Sequence, residues 1–201
     1  MIGSDMERGD YYPLSRLLDD LKADLSSYAR TLSNLERLSF LGGMKIVTTF
    51  PTFWLIALHR YRFWVDSQFR IKAIKFFMKF LGLVGRYIFE IITKSFILGT
   101  ADIGPGLCIT GKGGVTLGPN KMGRGCIVGE NVTIGRDRFR HIPEFGDFVK
   151  IGANSIIFGG VRIGNGVIIK DSTVLTKSVP DDCIVHGNPG RIVKKNSKLS
   201  T

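Results

Sequence analysis

Three histidines are the side chains in this sequence best able to exchange a proton near neutral pH: His59, His141 and His186. His59 stands beside Arg60 in a helical pattern, where a structural or surface role is expected, and His186 fits a packing or turn role near the end of the chain. The three cysteines are widely separated and form no CxxC pair: Cys108, Cys126 and Cys183. We therefore expect neither a zinc site nor a disulfide framework, and a reducing compartment is the simplest interpretation.

His141 has the most distinctive sequence surroundings of the three. It lies in the segment 136–148 with Arg136, Arg138 and Arg140, and this segment interrupts an otherwise regular repeat. Burying so many charges inside a repeat unit would be costly, so we expect an extruded loop at 136–148. Insertions of this kind often form the binding face of a repeat protein. A merely solvated basic loop is the alternative interpretation.

The repeat itself is an aliphatic residue at every sixth position of the second half. Nineteen of the 25 glycines also lie from Gly99 onward, where tight corners would need them. Three six-residue strands make one triangular coil with its aliphatic side chains inside, and stacked coils pair their strands in parallel. The pattern predicts a mainly β protein, a left-handed parallel β-helix of roughly four coils. One residue appears inserted after Val115 in this series: Ile103, Ile109, Val115, Met122, Val128, Ile134, Ile151, Ile157, Ile163, Ile169 and Leu175.

The first half has helical periodicity instead. Leucines at positions 14, 17, 18, 21 and 25 follow Pro13 and predict one helix, and a second begins near Pro51. A third covers roughly 69–96, with a candidate break at Gly82 and Gly85. We thus predict an α-helical N-terminal domain at 1–98, the β-helix at 99–193 and a basic tail at 194–201.

Basic and aromatic residues are interleaved between positions 60 and 94, and the whole chain has a net charge of +11. That charge favours an anionic partner such as a phosphate-bearing cofactor, nucleic acid or an anionic membrane. No nucleic-acid motif is present, so we expect a helical cap, with contact at the membrane surface as the functional alternative. Charges within 76–98 argue against a membrane span, and Asp5, Glu7 and Asp10 argue against a signal peptide. A cytoplasmic location, peripheral to the inner membrane face in the alternative, is expected.

The repeats, their single interruption and the closing segment VPDDCIVHGNPGRIV at 179–193 resemble the left-handed β-helix acyltransferases. Pro51-Thr52-Phe53 and His59-Arg60 are similar to Pro-Gly-Phe and His-Arg elements in the helical domain of serine O-acetyltransferases and of capsule and colanic acid O-acetyltransferases. The resemblance covers roughly 45–193. It implies transfer of an acetyl group from acetyl-CoA to a hydroxyl, with active sites between the subunits of a trimer.

The family's catalytic residues carry over only in part. Its main histidine, in an Asp-His-x-x-Gly segment, aligns with Gly111, and its supporting Asp aligns with Phe96. Its second histidine, in an Asp-Arg-His-Pro segment, aligns approximately with His141. The resemblance therefore makes His141 the candidate general base. Related β-helix carbonic anhydrases hold a metal with three repeat histidines, and because His59 lies outside the repeats no metal is expected.

The cosubstrate implied by the resemblance is acetyl-CoA. Its phosphates require Lys or Arg, and the last coils and tail supply several. The pantetheine arm would run beside 151–154 and 170–172 and take backbone hydrogen bonds. Ordinary solvated charges are the alternative for the lysines. The candidate cofactor-binding residues are Gly152, Ala153, Lys170, Ser172, Lys177, Arg191 and Lys194.

These expectations combine into one functional hypothesis. The protein would be an acetyl-CoA-dependent O-acetyltransferase acting on serine or on a sugar or polysaccharide, assembled as a homotrimer or a dimer of trimers. The rival hypothesis is a non-catalytic relative that binds coenzyme A or a partner, motivated by Gly111 and Phe96 at the family's His and Asp positions.

Overall fold

The structure of the protein is a computed structural model that describes residues 12–32, 40–68 and 72–195. Asp5, Glu7, Asp10, residues 69–71 of the third predicted helix and the end of the predicted tail lie outside these ranges. Within them, four helices precede the strands: α1 (Leu14–Leu32), α2 (Phe40–Thr49), α3 (Pro51–Gln68) and α4 (Lys72–Thr93). The helices predicted after Pro13 and from Pro51 are confirmed as α1 and α3, whereas α2 was not predicted.

Helix α4 is continuous, so the break predicted at Gly82 and Gly85 is wrong. Both glycines face α3 instead. A Cβ at Gly82 would come within 2.9 Å of the Tyr61 ring, and one at Gly85 within 3.4 Å of Leu58. Because neither glycine has a side chain, α3 and α4 can approach closely. The packing gained in this way offsets the loss of helix stability that each glycine causes.

Fifteen strands follow and form the three walls of a left-handed β-helix of about five turns. Neighbouring strands in each wall are parallel, except for the final antiparallel pair β14–β15. Wall A has the order β1-β4-β7-β10-β13, wall B β11-β8-β5-β2, and wall C β15-β14-β12-β9-β6-β3. The strands are β1 (Phe96–Ile97), β2 (Asp102–Ile103), β3 (Cys108–Ile109), β4 (Thr116–Leu117), β5 (Lys121–Met122), β6 (Ile127–Val128), β7 (Thr133–Gly135), β8 (Glu144–Phe145), β9 (Lys150–Ile151), β10 (Ile156–Phe158), β11 (Arg162–Ile163), β12 (Ile168–Ile169), β13 (Val174–Leu175), β14 (Cys183–His186) and β15 (Arg191–Lys195).

The predicted six-residue series fills the interior, but the β-helix has about five turns rather than roughly four, and one position in the series needs correction. Leu117, not Val115, is the strand residue that pairs with Ile134 in wall A, although Val115 is buried as well. Two extra residues therefore lie between Ile109 and Leu117. The corner at 110–114 accommodates them because Gly111, Gly113 and Gly114 all have positive φ, which only glycine adopts without strain.

Several predicted boundaries also shift. The extruded loop is 136–143, shorter than the predicted 136–148, because Glu144–Phe145 forms β8 and the Phe145 side chain fills an inward position. The β-helix begins at Phe96 rather than at residue 99. Lys194 and Lys195, predicted as tail, belong to β15, which pairs with β14.

The helices are attached to the first coil by a buried ion pair. Asp24 of α1 accepts two bonds from the Arg60 guanidinium, at 2.6 and 2.9 Å. The same carboxylate accepts the amides of Gly106 and Leu107 at 2.8 and 3.0 Å, while Arg60 donates to the carbonyls of Ile103 and Gly104. Both the Asp24 carboxylate and the Arg60 guanidinium thus have hydrogen-bond partners, as buried charges require.

Candidate active site

The extruded loop leaves the β-helix at the edge where wall A meets wall B, and Asp137 organises it. One carboxylate oxygen, Oδ1, accepts the amides of Phe139 and His141, each at 2.9 Å. The Asp137 amide donates back to the carbonyl of His141 at 3.1 Å. Arg140 adopts a left-handed φ of 67°, which turns the chain so that these bonds can form.

The second carboxylate oxygen of Asp137 positions the His141 ring. Its Oδ2 lies 2.9 Å from His141 Nδ1. Partial desolvation acts to raise the pKa of Asp137, but the bonds from the His141 ring and amide and from the Phe139 amide outweigh it and hold that pKa below its ordinary value. An ionised carboxylate can only accept, so the proton of a neutral His141 resides on Nδ1 and the Nε2 lone pair is left available.

A polar cavity of about 350 Å³ lies beside the imidazole. Gly160 of the next coil forms its floor, and a Cβ there would come within 2.9 Å of the His141 Cβ. Both signs of charge are present in its lining. Glu144 accepts a bond from the Asn120 amide at 2.8 Å and lies 3.5 Å from the Arg162 guanidinium. The full lining is Asn120, Arg140, His141, Ile142, Glu144, Gly160, Val161 and Arg162.

The predicted cofactor residues lie at more than one place on the β-helix. Gly152 and Ala153 follow β9, and Lys170 and Ser172 follow β12, so all four lie at the edge between walls C and A. Lys177 follows β13 and shares the A–B edge with His141. Arg191 and Lys194 are exposed in β15, on wall C. A single chain therefore does not bring His141 together with the C–A group.

The backbone at the C–A edge is already engaged in the wall. The amides of Gly152, Ala153, Asn154, Lys170 and Ser172 donate, at 2.7–2.9 Å, to acceptors in neighbouring coils. A Cβ on Gly152 would lie 2.4 Å from the Asp171 amide nitrogen, so close coil stacking explains this glycine. A backbone carbonyl has two lone pairs, so carbonyls at this edge could still accept a hydrogen bond from a pantetheine arm. The exposed cations fit the phosphates of the cosubstrate.

The remaining predicted residues have clear structural positions. Gly111 lies at the corner after β3, with φ of 82°, where a Cβ would meet the Glu130 carboxylate at 2.6 Å. Phe96 lies under the Arg86 guanidinium, 5.0 Å from its ring centroid. His59 is buried and bonds the Ala101 carbonyl at 3.1 Å, which confirms a structural role, while His186 is exposed on β14. Within the described ranges, no cluster of His, Cys, Asp or Glu could hold a metal ion.

Sequence reasoning missed the partner of His141 and the floor beneath it. Asp137 precedes His141 by four residues in a turn, where an Asp side chain often accepts amides two residues on. That spacing was the available signal. Gly160 gave none, because its contact with His141 depends on how far the loop folds back over the next coil.

The fold and the site define a hexapeptide-repeat protein of the acyltransferase type, with the single extruded loop carrying a histidine. No protein-family model matches the sequence. Serine acetyltransferase from Staphylococcus epidermidis is 30% identical over 196 residues, which cover 92% of this chain and 81% of that protein. The chain therefore belongs to the serine acetyltransferase family.

Other relatives agree with this membership. Serine acetyltransferase from Synechococcus elongatus is 27% identical over 158 residues, 77% of this chain, and the match spans 62% of the length of that protein. Among solved structures, serine acetyltransferase from Brucella abortus superposes with a TM-score of 0.74 at 23% identity, covering 90% of this chain and 70% of that one. The Neisseria gonorrhoeae enzyme in complex with serine gives 0.72 at 23%, with the same coverage. These structures have the same fold as this protein.

Proposed function

We propose that this protein is an acetyl-CoA-dependent O-acetyltransferase that acetylates the hydroxyl of serine. The observation that carries the proposal is the pair formed by His141 and Asp137, with Nδ1 held at 2.9 Å from the carboxylate and His141 lining a polar cavity. A carboxylate that fixes the tautomer and orientation of an imidazole is the arrangement of a general base.

The proton path follows from that geometry. Acetyl-CoA, as cosubstrate, supplies the acetyl group as a thioester. His141 takes the hydroxyl proton on Nε2 as the serine oxygen attacks, and it returns the proton to the departing sulfur. The Asp137 carboxylate stabilises the charged imidazolium between these two events. Because one histidine serves both transfers, the reaction does not need a side chain at Gly111.

Serine is favoured over a saccharide by the charges around the cavity. An amino acid at neutral pH carries an ammonium and a carboxylate, and a neutral sugar carries neither. Arg140 and Arg162 can pair with the carboxylate, and Glu144 with the ammonium. None of the relatives described above is named for a saccharide acceptor.

A trimer would unite the two parts of the predicted site. His141 lies at the A–B edge, whereas Lys170 and Ser172 lie at the C–A edge of the same chain. A threefold arrangement of three-walled prisms can place one edge of a subunit against a different edge of its neighbour. In the proposed assembly, Lys170, Arg191 and Lys194 hold the phosphates of the cosubstrate near the partner subunit's loop.

The test is turnover by a His141→Ala variant, with release of free thiol from acetyl-CoA in the presence of serine as the readout. We expect the rate to fall by about 10²-fold or more while affinity for coenzyme A changes little. Asp19→Ala, on the exposed surface of α1 and away from both parts of the proposed site, is the control and should retain turnover.

Two results would count against the proposal. An unchanged rate in the His141→Ala variant would remove His141 from the mechanism. If the wild-type protein released no thiol with serine, or with sugars and oligosaccharides as further acceptors, the non-catalytic alternative would replace acetyl transfer.

A further inference from the structure

Helix α4 leaves one half of its circumference uncovered and apolar. Of its 22 residues, only Thr93 is buried. Phe76, for example, is 75% exposed. Contiguous exposed apolar surface of this kind is typical of an interaction site. The face, here called the α4 face, consists of Ile74, Phe76, Phe77, Phe80, Leu81, Leu83, Val84, Tyr87, Ile88, Ile91 and Ile92.

The opposite side of α4 is the one that contacts the protein. Gly82 lies against Tyr61, Gly85 lies against Leu58, and the Phe89 ring stacks on Trp54 with centroids 5.8 Å apart. At 100° per residue these contacts lie on one side of the helix, and the α4 face covers roughly the other half. Packing on α3 therefore fixes the helix with its apolar half turned outward.

A basic border runs along the edge between these two sides. Lys72, Lys75, Lys79 and Arg86 lie there, with Glu90 as the acid of α4. Lys75 and Lys79 share a single acid, Asp66 of α3, and Arg86 bonds Glu90 at 2.6 Å. Four cations against two carboxylates leave the border positive.

A cavity opens where the border meets the apolar face. It has a volume of about 240 Å³ and lies between α3 and α4. Its lining combines the apolar side chains of Leu58, Val65 and Leu83 with the cations of Arg62, Lys79 and Arg86. Leu83 also belongs to the α4 face. One continuous surface therefore joins exposed apolar side chains to a cationic recess. Such a surface is complementary to an anionic amphiphile.

We propose that the α4 face binds an anionic lipid surface, with α4 lying in the plane of the bilayer interface. The apolar half would enter the boundary between headgroups and acyl chains, and the basic border and recess would contact lipid phosphates. A second copy of this chain fits less well, because its own basic border brings the same excess of cations. No single described helix is long and apolar enough to cross a membrane, although α2 and α3, bent by 94°, meet that test jointly on length and composition. The inference does not depend on the acetyl-transfer chemistry.

The experiment is sedimentation of the full-length protein with vesicles of phosphatidylcholine alone and with an equal mixture of phosphatidylcholine and phosphatidylglycerol. Binding to the mixed vesicles should exceed binding to the neutral ones, and raising salt from ~0.1 M to ~1 M should reverse much of it. The variant Phe76→Ser/Phe80→Ser should lose at least about tenfold in partition coefficient. Leu41→Ser, which removes a 77% exposed leucine from α2, is the matched control and should bind as the wild type does.

A second pair of variants tests the recess separately. Arg62→Gln/Lys79→Gln should weaken binding to the mixed vesicles by about thirtyfold, since each cation near an anionic surface contributes roughly 1 kcal/mol. Lys150→Gln, an exposed lysine on wall C, should change nothing. Equal sedimentation of wild-type protein and the Phe76/Phe80 variant would overturn the proposal. It would also be overturned if that variant lost oligomer mass in sedimentation velocity while its vesicle binding stayed unchanged, because a second copy would then cover the face.

Discussion

Gly160 lies directly under His141, so close that a Cβ built on the glycine would approach the His141 Cβ to 2.9 Å and the Cγ to 3.5 Å. The two residues are separated by a whole coil of the β-helix and meet because the extruded loop folds back over the A–B edge. Two contacts therefore determine the position of the proposed base. Gly160 allows the close approach because it has no side chain, and the Asp137 carboxylate bonds the imidazole.

Gly160→Ala should lower turnover without weakening coenzyme A binding. The new methyl group must displace His141, and a misplaced general base loses much of its effect, on the order of tenfold to a hundredfold in kcat. Steady-state kinetics with varied acetyl-CoA would measure both quantities. Gly135→Ala is the matched control, because a Cβ at that position meets nothing within 4 Å. Similar kcat values for the two variants would show that catalysis does not depend on the close packing of His141 on Gly160.

Asp137→Asn should reduce kcat by about a hundredfold while the fold remains intact. The amide loses the negative charge that stabilises the imidazolium, and it can present a donor to Nδ1 and so favour the wrong tautomer. Asp19→Asn, on the exposed surface of α1, is the control. Because the pKa of Asp137 lies below its ordinary value, its carboxylate stays charged as the pH falls to the ordinary aspartate range. We therefore expect the contact between Asp137 and His141 to persist in the wild-type protein over that range. Full activity in the Asp137→Asn variant would refute the pairing as a functional one.

His59 should make stability depend on pH in the mildly acidic range. Burial, followed by the nearby Arg60 charge, lowers the pKa of His59 from 6.5 to about 3. The unfolded chain therefore binds a proton below about pH 6.5 that the folded chain refuses, and the free energy of unfolding falls by about 1.4 kcal/mol per pH unit from this residue as pH drops toward 3. Chemical denaturation at pH 7 and pH 5 measures the slope.

His59→Gln is the variant that isolates this effect, since glutamine cannot titrate and still carries a donor for the Ala101 carbonyl. Its stability should decline less steeply between pH 7 and pH 5 than that of the wild type. His186→Gln should keep the wild-type slope because His186 is exposed. Parallel slopes for all three proteins would assign the pH dependence to other groups.

Mixing two inactive variants tests whether the site lies between subunits. His141→Ala removes the base at one edge, and Lys170→Glu/Lys194→Glu reverses charge at another. Refolded together, the two variants should recover up to about one quarter of wild-type activity, because each interface draws its two edges from independently chosen subunits. Activity that stays at the level of the separate variants would place a complete site within one chain.

The β-helix could be predicted from sequence because its interior repeats one requirement. Ile151, Ile157, Ile163 and Ile169 each fill the same kind of inward position, so the period survives reading along a single chain. The corner at 110–114 defeated the same reasoning: Val115 and Leu117 are both buried, and only the strand pairing of Leu117 with Ile134 shows which one continues the series.

The site and the helical contacts depended on long-range placement. His141 was identified from its alignment, whereas its relation to Gly160 and Glu144 arises only when separate coils stack. The Asp24–Arg60 pair joins residues 36 positions apart and is invisible to any periodic pattern. All the predicted cofactor-binding residues remain predictions: Gly152, Ala153, Lys170, Ser172, Lys177, Arg191 and Lys194.

The buried Asp24–Arg60 pair also makes the two ends of the β-helix different. A solenoid ends in strands whose outer backbone groups could template another chain, and stacked coils could in principle polymerise end to end. Here α1 and α3 cover the first coil, and Asp24 occupies the amides of Gly106 and Leu107 that the coil would otherwise present. The helices thus cover the β-helix at its first coil, at the end where another chain could otherwise add a strand.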